Sequence, residues 1–236
     1  MSNTGEGMAE GDSDDEVVIV KVWDWPVRLV HWAMVVLVVV QVVTVKIGGN
    51  AMTWHMRAGE TMLALVLFRV LWGFAGSRHA RFASFLRGPR AVLGYARSIV
   101  QPPHQWHTGH NPLGGWMVVA LLVALLLQAG TGLFSNDDIA NEGPLVRLIS
   151  KDLSDAITGF HHKNAWLVIG LACVHIGAVL VYLFSLKENL ILPMLEGTKR
   201  APAAAHRAAT ENPYAGRALL LFALCAFAVW WLVTRR

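Results

Sequence analysis

The chain has 236 residues, of which 55% are hydrophobic and 15% are charged, and its mean hydropathy is +0.45. This composition lies outside the range of soluble globular domains and indicates a protein that spans a membrane. The formal net charge of +4 is carried by segments between apolar runs, so it predicts membrane topology rather than nucleic-acid binding.

Five apolar segments follow an acidic stretch that we expect to be a disordered cytoplasmic tail (residues 1–20). Four of them approach the roughly 20 residues that cross a bilayer as a helix, and the last is shorter. They are 27–45, 54–74, 113–134, 166–184 and 218–233. Because strands of alternating polarity are absent, we predict an all-α integral membrane protein: a four-helix bundle at 21–200, a linker at 201–215 and a fifth, C-terminal transmembrane helix at 216–236.

Two of the predicted loops carry opposite charge. Loop 76–110 contains five arginines and no acidic residue, whereas 135–160 contains five acidic and two basic residues. Since arginine and lysine favour cytoplasmic loops, we expect 76–110 and the N-terminus on the cytoplasmic side of a bacterial inner membrane. Loop 135–160 then faces the periplasm. The two ends of the predicted bundle are called below the basic end (76–110) and the acidic end (135–160).

Four histidines lie on or at the edges of the predicted spans, at two depths. His161 and His175 are fourteen residues apart on the fourth span, which places them on one helix face about 21 Å apart along the axis. His55 opens the second span at the acidic end, and His31 lies near the basic end of the first. The topology therefore pairs His55 with His161 and His31 with His175.

Paired histidines at two depths suit two haem groups, since an electron-transfer haem takes two strong axial ligands and an ionisable group in lipid is functional by default. The chain has no Cys-x-x-Cys-His motif, so we expect two non-covalent haem b groups. His162 lies about 140° around the helix from His175 and is the weaker candidate for the acidic-end ligand. Arg28, one turn before His31, is a candidate partner for a haem propionate, with a positive-inside anchor as the alternative.

The remaining histidines fall in predicted cytoplasmic loops or the linker, and we expect them to contact solvent or lipid headgroups. They are His79, His104, His107, His110 and His206. The three at 104–110 lack a fixed metal-binding spacing, so no metal site is predicted there.

Several of these motifs resemble the bacterial cytochrome b561 family, whose relatives include the cytochrome b subunits of nickel–iron hydrogenases and formate dehydrogenases. They are Arg28-Leu29-Val30-His31-Trp32, Trp54-His55 leading to Gly59, Gly109-His110-Asn111-Pro112-Leu113 and the fourteen-residue histidine pair. The resemblance covers about residues 20–200. It implies a four-helix core, two b haems with the same histidine pairing, and electron passage between a quinone pool and a redox partner.

Three functions remain open at this point. The first is a di-haem cytochrome that relays electrons between quinone or quinol and a cytochrome or dehydrogenase partner, with a quinone site near His31 and Arg28. The second is a stand-alone superoxide:ubiquinone oxidoreductase, which the acidic outer loop disfavours because its donor is an anion. The third is a non-redox membrane anchor or channel whose histidines are structural.

Overall fold

The computed structural model describes residues 17–100, 107, 109–202 and 214–234 of the chain. Its elements in chain order are β1 Val17–Lys21, α1 Trp25–Ile47, α2 Ala51–Ala75, α3 Phe82–Phe85, α4 Pro89–Val100, α5 Pro112–Gly132, α6 Lys151–Phe184, α7 Ile191–Glu196, β2 Thr198–Pro202 and α8 Ala215–Thr234.

Five of these helices are long and apolar enough to cross a membrane, namely α1, α2, α5, α6 and α8. The predicted all-α membrane bundle with a fifth apolar helix is confirmed. Side chains cap three of the helices at their N-termini: Asp24 accepts from Val27 N, Asn111 from Gly114 N and Ser150 from Leu153 N. Each cap satisfies a backbone donor that has no partner within the helix.

Helix α2 is the centre of the bundle. It packs against α1, α5 and α8, whereas α6 packs mainly on α5. In α2, 56% of the most apolar stretch is buried, against 11% in α1 and in α6. Side chains such as Trp72 and Phe68 fill the interior. In the described part of the chain α6 does not pack closely on α1 or α2, so a space remains between these helices.

The basic end carries a small antiparallel sheet in which β1 pairs with β2, with Val17 opposite Pro202 and Lys21 opposite Thr198. This differs from the expected tail, because residues 17–20 form a strand rather than a disordered segment. Val20 and Val22 are buried beside the sheet, so burial of alternate valines accounts for the order. Residues 1–16 of the expected tail and 203–213 of the expected linker lie outside the described residues.

Helix α6 begins earlier than its apolar segment suggests. Its 34 residues span about 51 Å, well beyond the roughly 30 Å hydrocarbon core of a bilayer. The ten residues expected to end the acidic loop (151–160) are instead its first turns. The loop before it is ordered by Asp137, whose carboxylate accepts backbone N–H groups of Ile139, Ala140 and Asn141. A hydrogen bond from the Asn141 side chain, followed by these backbone bonds, holds the pKa of Asp137 well below its usual range.

Replacing Asp24 with alanine tests the contact that fixes α1 on α2. The Asp24 carboxylate is buried and accepts from Val27 N and from the indole nitrogen of Trp72, both at 2.9 Å. Loss of the cap and of the partner of a buried indole should cost about 1–3 kcal/mol, measured as a lower melting temperature in detergent. Asp152→Ala, an exposed acid at the start of α6, is the control. Equal melting temperatures for the two variants would contradict this role of Asp24.

Candidate functional site

The structure brings the four histidines together as the two predicted pairs. The ring centroids of His31 and His175 are 6.4 Å apart, and those of His55 and His161 are 6.5 Å apart. The first pair joins α1 to α6, and the second joins α2 to α6. Two metal–nitrogen bonds of about 2 Å, with the distance from each nitrogen to its ring centre, give a centroid separation of about 6 Å. Both pairs therefore have the spacing of two imidazoles that share one metal ion.

In the acidic-end pair (His55 and His161), the second ring nitrogens are engaged by hydrogen bonds. His55 Nδ1 donates to the backbone oxygen of Gln41 at 3.1 Å, since a carbonyl can only accept. His161 Nδ1 donates to Thr131 Oγ1 at 3.1 Å, because the Thr131 hydroxyl donates its own proton to Leu127 O. Each ring thus presents the lone pair of Nε2, the arrangement that second-nitrogen hydrogen bonds give to metal-ligating histidines.

A chain of amides leads to His161 through the bundle interior. The side-chain nitrogen of Asn164 donates to Ala124 O at 2.9 Å and to Gln128 Oε1 at 2.8 Å. The Gln128 nitrogen in turn lies 3.0 Å from His161 Nε2 and donates to it. A metal bonded to His161 Nε2 takes the place of this last hydrogen bond, so Gln128 has to turn away when the site is filled.

An apolar cavity of about 400 Å³ adjoins the acidic-end pair. It lies between α1, α2, α5 and α6 and is lined by His55 and by aliphatic side chains, including Val38, Val42, Leu125 and Ile169. A Cβ added at Gly59 would meet nothing closer than the Gln41 side chain, at 4.0 Å. Such a cleft, beside two lone pairs at metal-sharing distance, fits a flat apolar ring system with a central metal, as in haem.

In the basic-end pair (His31 and His175), His31 Nδ1 is buried and has no hydrogen-bond partner among the described residues. Arg28, one turn earlier on α1, donates from its guanidinium to Leu195 O, while its Nε is buried without a partner in the described chain. Trp32 donates to Met194 O at 3.2 Å. The segment around α7 therefore covers this end of the site. Arg28 Nε and His31 Nδ1 remain without hydrogen-bond partners among the described residues.

His162 is exposed and lies on the wall of the cavity at the acidic end. Its ring contacts His161 at a centroid distance of 6.3 Å. The ring that faces His55 is that of His161.

Two residues of the basic end were not singled out from the sequence. His110, expected to contact solvent or headgroups, instead packs its ring between Trp23 and Phe85, with centroids 4.6 Å away on each side. Burial, with the nearby charge of Arg69, lowers the pKa of His110 to about 3, so this ring is neutral at pH 7. Arg69 itself is buried within α2. An arginine inside an apolar span is a signal that the sequence already contained.

The fold and the paired histidines define a class of molecule: a helical membrane protein whose facing imidazoles can hold a metal cofactor between helices. Residues 22–197 match the family described as prokaryotic cytochrome b561, and the chain belongs to this family. Its members are b-type cytochromes of membrane electron transfer, so membership implies haem b binding. No solved structure matches the chain.

Three relatives are each named as a probable Ni/Fe-hydrogenase B-type cytochrome subunit. The protein of Bradyrhizobium diazoefficiens is 24% identical, over 77% of this chain and 86% of its own length. That of Rhizobium leguminosarum bv. viciae is also 24% identical, over 81% and 93%, respectively. That of Rhodobacter capsulatus is 22% identical, over 75% and 80%. The chain is similar to these subunits over most of the length of each.

Replacing Thr131 with valine removes the acceptor that orients His161 while keeping the shape of the side chain. Loss of such a partner typically lowers metal-site affinity by about 10–100-fold, and we expect a decrease of this size for haem at the acidic end. Haem dissociation, followed by transfer to an excess of apomyoglobin, measures it. Thr61→Val, which removes an exposed hydroxyl bonded to Arg57 O on α2, is the matched control. A Thr131→Val protein that releases haem no faster than this control would contradict the assignment.

Proposed function

We propose that this protein is a di-haem b cytochrome that carries electrons across a bacterial inner membrane between a quinone pool and a redox partner. The supporting observation is the presence of two histidine pairs, at 6.4 and 6.5 Å, that share one helix. The fourteen residues between His161 and His175 separate the two pairs by about 21 Å along α6. If the protein bound a single haem, only one of the two histidine pairs would be used as ligands.

In this proposal the chain supplies ligands, orientation and an apolar environment. His55 and His161 would hold one haem at the acidic end, and His31 and His175 would hold the other at the basic end. Haem b, when bound, supplies one-electron chemistry. Thr131 and the Gln41 carbonyl keep the acidic-end imidazoles in the tautomer that ligates through Nε2. The aliphatic side chains of the cavity exclude water from the iron.

The charge of the loops supports the proposed orientation, with the N-terminus and the basic end in the cytoplasm. Arg28, with its unpartnered buried Nε beside His31, is a candidate contact for a haem propionate or a quinone oxygen. We place the quinone site at this end.

The names of the three relatives favour a hydrogenase-type enzyme subunit as the redox partner. We place that partner at the acidic end, where α6 extends beyond the bilayer.

The two alternative functions have less support. Exposed acids such as Asp137 and Asp138 at the acidic end oppose the approach of superoxide, an anion. A purely structural role leaves two imidazole pairs at metal-sharing distance unexplained, along with a buried His31 Nδ1 that has no described partner.

Two alanine variants at adjacent positions test the ligand assignment and the function together. We expect two haems per wild-type chain by pyridine haemochrome assay, both reduced by added quinol. His161→Ala should keep one haem, which quinol still reduces from the basic end. His162→Ala should keep both, because its ring is not the one that faces His55.

His175→Ala completes the set, since it removes the haem next to the proposed quinone site. The remaining haem should then no longer be reduced by quinol, although dithionite still reduces it. Loss of a haem in His162→Ala but not in His161→Ala would contradict the ligand assignment. Normal quinol reduction in His175→Ala would contradict the electron path.

A further inference from the structure

Helix α2 repeats the spacing of the α6 histidines with a different residue. Arg69 follows His55 by fourteen residues, so both lie on one face of α2, about 21 Å apart along the axis. His55 belongs to the acidic-end pair, and the fourteen-residue spacing places Arg69 at the depth of the basic-end pair. Arg69 lies close enough to His31 and His110 to interact with both rings electrostatically.

Arg69 is buried, with 4% of its surface exposed, and it makes few direct contacts with polar groups. Its guanidinium makes one long bond, of 3.3 Å, to Ala80 O and lies over the ring of Phe82 at 5.6 Å. Among the described residues no carboxylate forms an ion pair with it. The nearby Asp24 carboxylate is engaged by Val27 N and Trp72 Nε1.

An arginine within a membrane span calls for an anionic partner or for hydrogen-bond acceptors. Among the described residues the Asp24 carboxylate interacts with Arg69 electrostatically but forms no ion pair with it, so donors of the guanidinium stay available to a ligand.

His110 adds a second unsatisfied group to the same place. Its Nδ1 is buried and has no hydrogen-bond partner among the described residues. Its ring interacts electrostatically with Arg69, His31 and His175, which come from α2, α1 and α6. Its ring packs against Trp23 and Phe85. A neutral imidazole with an unpartnered Nδ1 and a guanidinium with a single hydrogen bond among the described residues therefore lie beside the basic-end pair.

We propose that Arg69 and His110 bind a carboxylate of the cofactor held by His31 and His175, and that the charge of Arg69 raises the midpoint potential of that cofactor. This inference rests on the proposed di-haem function. The propionates are the anionic groups of haem, and a guanidinium binds a carboxylate through paired, charge-assisted hydrogen bonds.

The effect on potential follows from charge. Reduction of the iron adds one electron and breaks no bond, so a fixed positive charge nearby stabilises the reduced form more than the oxidised form. The side chains hydrogen-bonded to the acidic-end pair are the uncharged Gln128 and Thr131, and Arg69 is about four helical turns away from that pair. Removal of the Arg69 charge should therefore act on one haem only.

The test is an optical redox titration of the haem-loaded, full-length chain. The step that is missing in His31→Ala identifies the basic-end haem. Arg69→Gln should move this step to a lower potential and leave the other step unchanged. Arg69→Lys, which keeps the charge, should restore most of the wild-type value, and His110→Gln should give a smaller downward shift. Arg90→Gln, which removes an exposed arginine from α4, should shift neither step.

The outcomes separate this inference from the function on which it rests. A wild-type chain without two haems would overturn the proposed function, whatever the Arg69 variants do. Two haems whose potentials are the same in Arg69→Gln and wild type, or which shift equally, would overturn only the role of Arg69. If Arg69→Gln does not fold, His110→Gln decides. A basic-end step at the wild-type potential in His110→Gln would then contradict the proposal.

Discussion

Helix α6 is held in the bundle mainly by its contacts with α5, which leaves a space between α6 and helices α1 and α2. The site depends on this space. Helix α2 is surrounded by three neighbours, whereas α6 makes its main contacts with α5 alone. The imidazoles of α6 can therefore face those of α1 and α2 across a space instead of packing against their backbones. The histidine pairs are as much a result of helix arrangement as of histidine placement.

Polar groups inside this apolar frame are arranged around the histidines. At the acidic end the Asn164 and Gln128 amides and the Thr131 hydroxyl form a connected chain that ends on His161. Because unsatisfied polar groups are costly away from water, such a chain also fixes the orientation of the ring that it reaches. At the basic end, by contrast, His31, His110 and Arg28 keep buried atoms without partners in the described chain. The two histidine pairs therefore differ in how far the described protein satisfies the polar groups around them.

The membrane spans and the histidine pairing could be predicted from the sequence, because both follow from the spacing of residues along the chain. Runs of about 20 apolar residues define spans, and fourteen residues on a helix restore the same face. The strand β1 and the early start of α6 were not predicted, since the first depends on pairing with Thr198–Pro202 and the second lies in a polar segment. The burial of His110 depends on Trp23 and Phe85, which are distant along the chain. Arg69 was visible as the one charged residue in the apolar stretch 61–74 of the second span, but its neighbours were not.

Electron paramagnetic resonance of the oxidised, purified chain tests the central claim most directly, because it reports the axial ligands of each iron. Two imidazoles on one iron leave no open position and give a six-coordinate, low-spin ferric centre. The account predicts two distinct low-spin signals that together integrate to two irons per chain, one of which disappears in His31→Ala and the other in His55→Ala. A single low-spin signal in the wild type, or a dominant high-spin signal, would contradict two bis-histidine haems.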